Sequence, residues 1–130
     1  MLNDTNKRMQ YVYTGFSSPS ENFSESSISL DEYLIKHPAA TFLAYASGDS
    51  MANVGIYDGD LLIIDRSLDA ISGDVVIGVF NGELIVRKLL IIKGKPYLSS
   101  SDKECRSILI ALDAEFEIWG VVTASIKKFK

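Results

Sequence analysis

The 130-residue sequence predicts a mainly β protein: a compact domain of curled antiparallel sheets with one short helix before it and a flexible N-terminal arm. Three observations carry that expectation. Short runs rich in Val, Ile, Leu, Phe and Tyr recur from residue 41 to the C-terminus, and Asp-Gly, Ser-Gly, Asn-Gly and Lys-Gly pairs punctuate them. The first 27 residues, in contrast, are polar, serine-rich and poor in aliphatic side chains. The length suits one ordinary domain, and 47% hydrophobic residues suffice for a core.

In chain order, residues 1–27 read as an arm that buries too little surface to offset its ordering entropy. Within it Tyr11, Val12, Tyr13 and Phe16 bracket Gly15, a short apolar segment that can lie extended in a groove as an internal ligand. The domain proper is expected over 28–130. It opens with a short helix: Ser29 and Glu32 have capping-box spacing, Asp31 adds negative charge to the first turn, Leu30, Tyr33 and Leu34 make an apolar stripe, and Pro38 stops it. Seven strands are then expected, over 41–46, 60–65, 74–80, 83–92, 96–99, 107–111 and 116–126. Asn81-Gly82 between two of them is a strong hairpin signal, because a type I′ turn needs positive φ at both central residues. Along 83–92, alternation places Ile85, Arg87 and Leu89 on one face and Val86, Lys88 and Leu90 on the other. Only one of the two basic residues can therefore face a given site.

Composition excludes several function classes. A formal charge of −4 argues against a protein that holds DNA strongly by its own phosphate contacts, so a nucleic-acid role would run through a partner. A single cysteine, Cys105, excludes an internal disulfide and fits a reducing cytoplasm. No cofactor or metal is expected: one Cys and one His cannot build a zinc site without several carboxylates, and Asp49, Asp58, Asp60, Asp65, Asp69 and Asp74 fall at strand ends and turns, where they read as turn formers. No run approaches the roughly 20 apolar residues needed to span a bilayer. Lys127, Lys128 and Lys130 read as a solvated basic tail, and Trp119 as core or dimer interface.

The candidate chemistry lies in Ala46-Ser47-Gly48-Asp49-Ser50-Met51. A serine in a glycine-containing turn after an apolar strand can stand exposed at a sheet end, where it needs a base to take its proton. The sole histidine, His37, lies upstream beside Pro38, which makes a serine-histidine-aspartate triad improbable and leaves lysine as the remaining route.

These residues carry a resemblance. Ala46–Met51, Gly55–Asp65, Gly73–Ile77, Gly82–Leu84 and Val86–Leu89 closely resemble the UmuD branch of the LexA-type self-cleaving serine peptidases, and the likeness extends through Gly15–Pro19, Leu34–Pro38 and Trp119–Val122. The resemblance implies a LexA/signal-peptidase-like β fold, a serine-lysine dyad, a homodimer, and an arm cut before a glycine when a recombinase filament forms after DNA damage. The trimmed protein then serves an error-prone DNA polymerase as an accessory subunit. Carried over by motif, Ser50 is the nucleophile and Thr14-Gly15 the scissile bond.

The motif puts arginine where the family has its lysine base, at Arg87. The Asp-Gly-Asp, Gly-Asp and Gly-Glu markers align without a gap between Ser50 and Arg87, and a one-residue slip would turn Lys88 to the wrong face. Lowering a lysine from about 10.4 to about 7 costs roughly 4.6 kcal/mol, whereas an arginine starting near 13.8 needs about 9 kcal/mol. Thr14 also departs from the small residue or cysteine usual before the glycine, since it is β-branched and stiff. Two departures on one pathway predict an accessory subunit whose self-cleavage is weak or lost, able to form homodimers or mixed dimers with an active paralogue. The rival reading is an active peptidase that uses Ser50 and, after a local strand adjustment, Lys88.

Overall fold

The computed structural model describes residues 29–99, 108–109 and 116–130. The arm, Thr14, Gly15 and Cys105 lie outside the described residues. The chain divides into two units, Met1–Lys36 and His37–Lys130.

In the first unit, helix α1 spans Leu30–Leu34. It is a single turn, and the expected capping box does not form: Ser29 caps through its carbonyl, which accepts from Tyr33 N at 3.1 Å, with no side-chain capping bond. The helix ends well before Pro38, because Ile35 is already extended at φ −110° and ψ 105°. None of its residues is buried, so the Leu30, Tyr33 and Leu34 stripe is not a core face. One turn leaves most backbone groups without intrahelical partners, so capping signals in the sequence have little helix to support.

Among the described residues the second unit holds one antiparallel sheet of seven strands: β1 (Thr41–Tyr45), β2 (Leu61–Asp65), β3 (Val75–Phe80), β4 (Glu83–Ile92), β5 (Lys95–Ser99), β6 (Ile108–Leu109) and β7 (Phe116–Ile126). Their order is β1-β2-β7-β3-β4-β5-β6. Each expected strand is present, with ends that move by one residue or less; for β6 the described residues are Ile108–Leu109. Asn81 (φ 51°) and Gly82 (φ 85°) form the tight hairpin turn, and Lys93 (φ 52°) with Gly94 (φ 78°) repeats it between β4 and β5.

Strand alternation gives the sheet two apolar faces. On one, Ala46, Met51, Ile56, Leu62, Ile64 and Ile77 form a buried cluster with Val86 and Trp119 packed against it. On the other, Val76, Leu89, Leu98 and Val121 cluster with Ile85 and Phe116. Val76 and Ile77 are successive residues in different clusters, as a period of two requires.

Strand β7 runs through the middle, pairing with β3 over Phe116–Val121 and with β2 over Val121–Ile126. Register shifts in it leave Trp119 and Thr123 as extra residues, and such bulges bend a strand and increase its twist. Gly120 lets β7 pass close to β2: a Cβ there would lie 2.6 Å from Ile64 Cγ2. The Trp119 ring stacks tilted on Phe42 at 5.1 Å, with the Arg66 guanidinium 4.3 Å from its centre. Arg66 Nε also donates to the Trp119 carbonyl at 2.8 Å. Among the described residues no helix is long and apolar enough to cross a membrane.

The end of β2 is pinned by Asp65, 4% exposed. Its carboxylate accepts from Ser67 N (2.8 Å) and Ser67 Oγ (2.6 Å) on one oxygen and meets His37 Nδ1 at 2.6 Å on the other. The serine bonds the carboxylate rather than the imidazole, so Ser67, Asp65 and His37 are a structural clasp and not a catalytic triad. These bonds, Ser67 and His37 first, hold the Asp65 carboxyl below its ordinary value of 3.8.

Two outcomes test this packing. Gly120→Ala is expected to cost about 1–3 kcal/mol by overpacking, and in a denaturant double-mutant cycle with Ile64→Ala the combined loss should fall short of the sum of the singles. Because the Asp65 carboxyl titrates lower folded than unfolded, its stabilisation is complete above the unfolded value and fades as pH falls through the depressed one. Asp65→Asn should therefore lower the denaturation midpoint at neutral pH, with the gap to wild type closing below about pH 3.8, and a constant gap down to pH 2 would contradict it.

Candidate active site

Ser50 sits in the loop that follows β1, where Ala46 is buried and Ser47, Gly48 and Asp49 are exposed. Two backbone bonds close the loop at its base, Ala46 N to Asp60 O and Gly59 N to Ala46 O, both 2.8 Å. Aspartates shape its interior. Gly48 N donates to Asp58 Oδ1 (2.7 Å), Asp58 N to Asp49 Oδ1 (3.0 Å) and Tyr57 N to Asp60 Oδ2 (2.9 Å). Gly48 takes φ 84°, a left-handed conformation that costs glycine little. Met51, 2% exposed, anchors the loop in the first apolar cluster beside Ser50, as a packing residue.

Asp60 is itself 3% exposed, and its second oxygen meets Lys127 Nζ at 2.6 Å. Lys127, with Tyr57 acting as the backbone donor, depresses the Asp60 carboxyl below its ordinary value, against an opposing effect of burial. The Lys127 ammonium also lies 4.9 Å from the centre of the Tyr57 ring. The expectation of a wholly solvated basic tail thus fails for Lys127, whose charge ties the residue after β7 to the base of the Ser50 loop. No local pattern announces the pair, because its members are 67 residues apart.

Arg87 is the basic residue that reaches Ser50: its Nη1 lies 3.2 Å from Ser50 Oγ and 2.7 Å from the Val86 carbonyl. Strand geometry explains how. Arg87 pairs with Val76, on the face of the second cluster, and among the described residues the pairing of β4 with β5 runs from Lys88 to Ile92. Counting alternate hydrogen-bonded pairs back from the Phe80–Glu83 closure directs the Val86 carbonyl away from β3. The arginine side chain meets that carbonyl and the serine together. Lys88 is half-buried, lies between Val75 and Ser99 in the sheet, and alternates to the other face.

A groove of about 330 Å³ opens beside this loop. Phe42, Tyr45, Ser47, Leu84, Val86 and Trp119 are among its walls, and Phe42, Leu43, Tyr45 and Leu84 are exposed apolar side chains. Its shape and lining suit an extended apolar peptide. The sequence gives little sign of it, because the groove is assembled from β1, β2, β3, β4 and β7. Thr14 and Gly15 lie outside the described residues.

Asp49, Asp58, Asp60, Asp65 and Asp74 each accept a backbone N–H, in keeping with their reading as turn formers. Among the described residues no three His, Cys, Asp or Glu side chains gather as metal ligands.

Comparison with known proteins agrees with this architecture. The family described as Peptidase S24-like matches residues 8–123. Protein MucA of Salmonella typhimurium is 39% identical over 119 residues, covering 91% of this chain and 81% of MucA. Protein SamA of Salmonella typhimurium strain LT2 is 37% identical over 114 residues, 88% of this chain and 79% of SamA. A LexA repressor from Stenotrophomonas maltophilia is 36% identical over 84 residues, 65% of this chain and 40% of the repressor. The chain belongs to the Peptidase S24-like family, in the UmuD branch of the LexA-type peptidases.

Proposed function

We propose that this protein is a UmuD-like accessory or regulatory subunit of an error-prone translesion DNA polymerase, acting in the SOS response to DNA damage, with self-cleavage weakened or lost. The observation that carries the second half is the contact between Arg87 Nη1 and Ser50 Oγ at 3.2 Å. A guanidinium has donors and no acceptor, so it can hydrogen-bond the serine oxygen but offers no lone pair for its proton. Without a base the hydroxyl is a weak nucleophile. The family membership and the relatives MucA and SamA support the first half.

The partners follow from the same reading: the polymerase catalytic subunit, a recombinase filament, and a second copy or an active paralogue in a dimer. Among the described residues the 122–126 half of β7 is paired on its β2 side only, an edge that supports strand pairing with another chain. The formal charge of −4 supports reaching DNA through those partners, with no strong direct contact.

Mass spectrometry after long alkaline incubation, with and without recombinase filaments, is expected to return only the intact chain. A fragment beginning at Gly15 overturns the loss of cleavage and favours Ser50 acting with Lys88. Arg87→Lys should accelerate cutting at Thr14-Gly15 by about a hundredfold or more, the scale of a positioned general base. If that variant stays inert, the block lies at Thr14 or in the groove instead. Tagged copies of this chain and of an active paralogue should co-purify, and strict homodimers in excess paralogue would rule out mixed dimers.

A further inference from the structure

We propose that the Ser50–Arg87 site binds the C-terminal carboxylate of an extended apolar peptide seated in the adjoining groove. The proposal rests on the reading that Ser50 does not cut, and it gives the site a ligand in place of a reaction.

The argument begins with the guanidinium. Arg87 is half-buried, and both of its hydrogen bonds leave from Nη1 to uncharged oxygens. Among the described residues the ion pairs are His37 with Asp65 and Lys127 with Asp60, and no carboxylate neutralises Arg87. A partly desolvated cation with neutral partners gains from an anion. Nη2, which makes no hydrogen bond among the described residues, is joined to Nη1 through the same carbon and can donate a charge-assisted hydrogen bond to one oxygen of a carboxylate beside Ser50.

Position selects the kind of carboxylate. A serine nucleophile attacks a peptide carbonyl carbon, so a main-chain carboxylate placed where that carbon would sit lies beside Ser50 Oγ, and the guanidinium is already there. Val86 links the two parts of the site, since it lines the groove with its side chain and accepts Arg87 Nη1 with its carbonyl. The apolar walls at Phe42, Tyr45, Leu84 and Trp119 then receive the side chains that precede the terminus. Replacing an acceptor base by a fixed cation converts a site suited to a neutral amide into one suited to an acid.

The test uses the full chain and three labelled peptides: Tyr-Val-Tyr-Thr with a free C-terminus, its C-terminal amide, and Tyr-Val-Tyr-Asp amide, read by fluorescence anisotropy at low salt. The free acid is expected to bind at least about tenfold tighter than the amide, in keeping with a charge-assisted hydrogen bond. Arg87→Gln should abolish that preference while leaving residual affinity for both, and Arg87→Lys should retain part of it. Equal binding of acid and amide, no binding of either, or a preference that survives Arg87→Gln overturns the proposal. Tighter binding of the aspartyl amide than of the free acid overturns the assignment to a main-chain terminus. Cleavage is scored separately by the Gly15 fragment, so a failure of the inert-site reading is distinguishable from a failure of carboxylate binding.

Discussion

The register between β3 and β4 is the constraint on which the site depends. A two-residue turn at Asn81-Gly82 closes the pair Phe80–Glu83, and from that closure Arg87 is forced opposite Val76 and Lys88 opposite Val75. Side chains alternate with a period of two, so a slip by one residue would exchange the two basic residues and bury the wrong apolar set on both faces. Ile85 and Leu89 would leave their cluster with Val76, and Val86 would leave its cluster with Ile77. Core packing and turn geometry thus enforce the same register, and that register decides which cation meets Ser50.

A second constraint holds the serine's side of the site. The Ser50 loop has few apolar anchors, chiefly Met51 and Ile56, and its shape comes from carboxylates that accept backbone N–H groups. Most of those bonds are exposed, but Asp60 is buried, and burying a carboxylate is costly unless it is both hydrogen-bonded and paired. Tyr57 N meets the first need and Lys127 the second. Lys127 follows directly on β7, the strand that pairs with both β2 and β3. An ion pair therefore joins the scaffold to the loop, alongside the main-chain bonds at Ala46 and the Arg87–Ser50 hydrogen bond.

Much of the fold is legible in the sequence because its signals are local. Asn-Gly and Lys-Gly turns, period-two alternation in 83–92 and β-branched runs each act over a few residues, and the strands they announce are present. The helix signals mislead for the same reason: Ser29 and Glu32 have the right spacing, yet a single turn is all that forms, and it buries nothing. Ser50 and Arg87 are legible as a pair through motif spacing, although alternation alone puts Arg87 on the face of Val76. Its reach to Ser50 joins residues 37 positions apart, which no property of residues 83–92 encodes.

By itself, then, the sequence determined the β architecture and the family, and it singled out Ser50 and Arg87 as candidate site residues. Each rests on residue identity and short spacing. Tertiary structure decided the rest: the contact of Arg87 with Ser50, the clamp of Lys127 on buried Asp60, the clasp of His37 on Asp65, and the apolar groove lined from β1, β2, β3, β4 and β7. These features join residues far apart in the chain, and a long-range pair leaves no local periodicity or turn signal because its partners meet only when the sheet has closed around them.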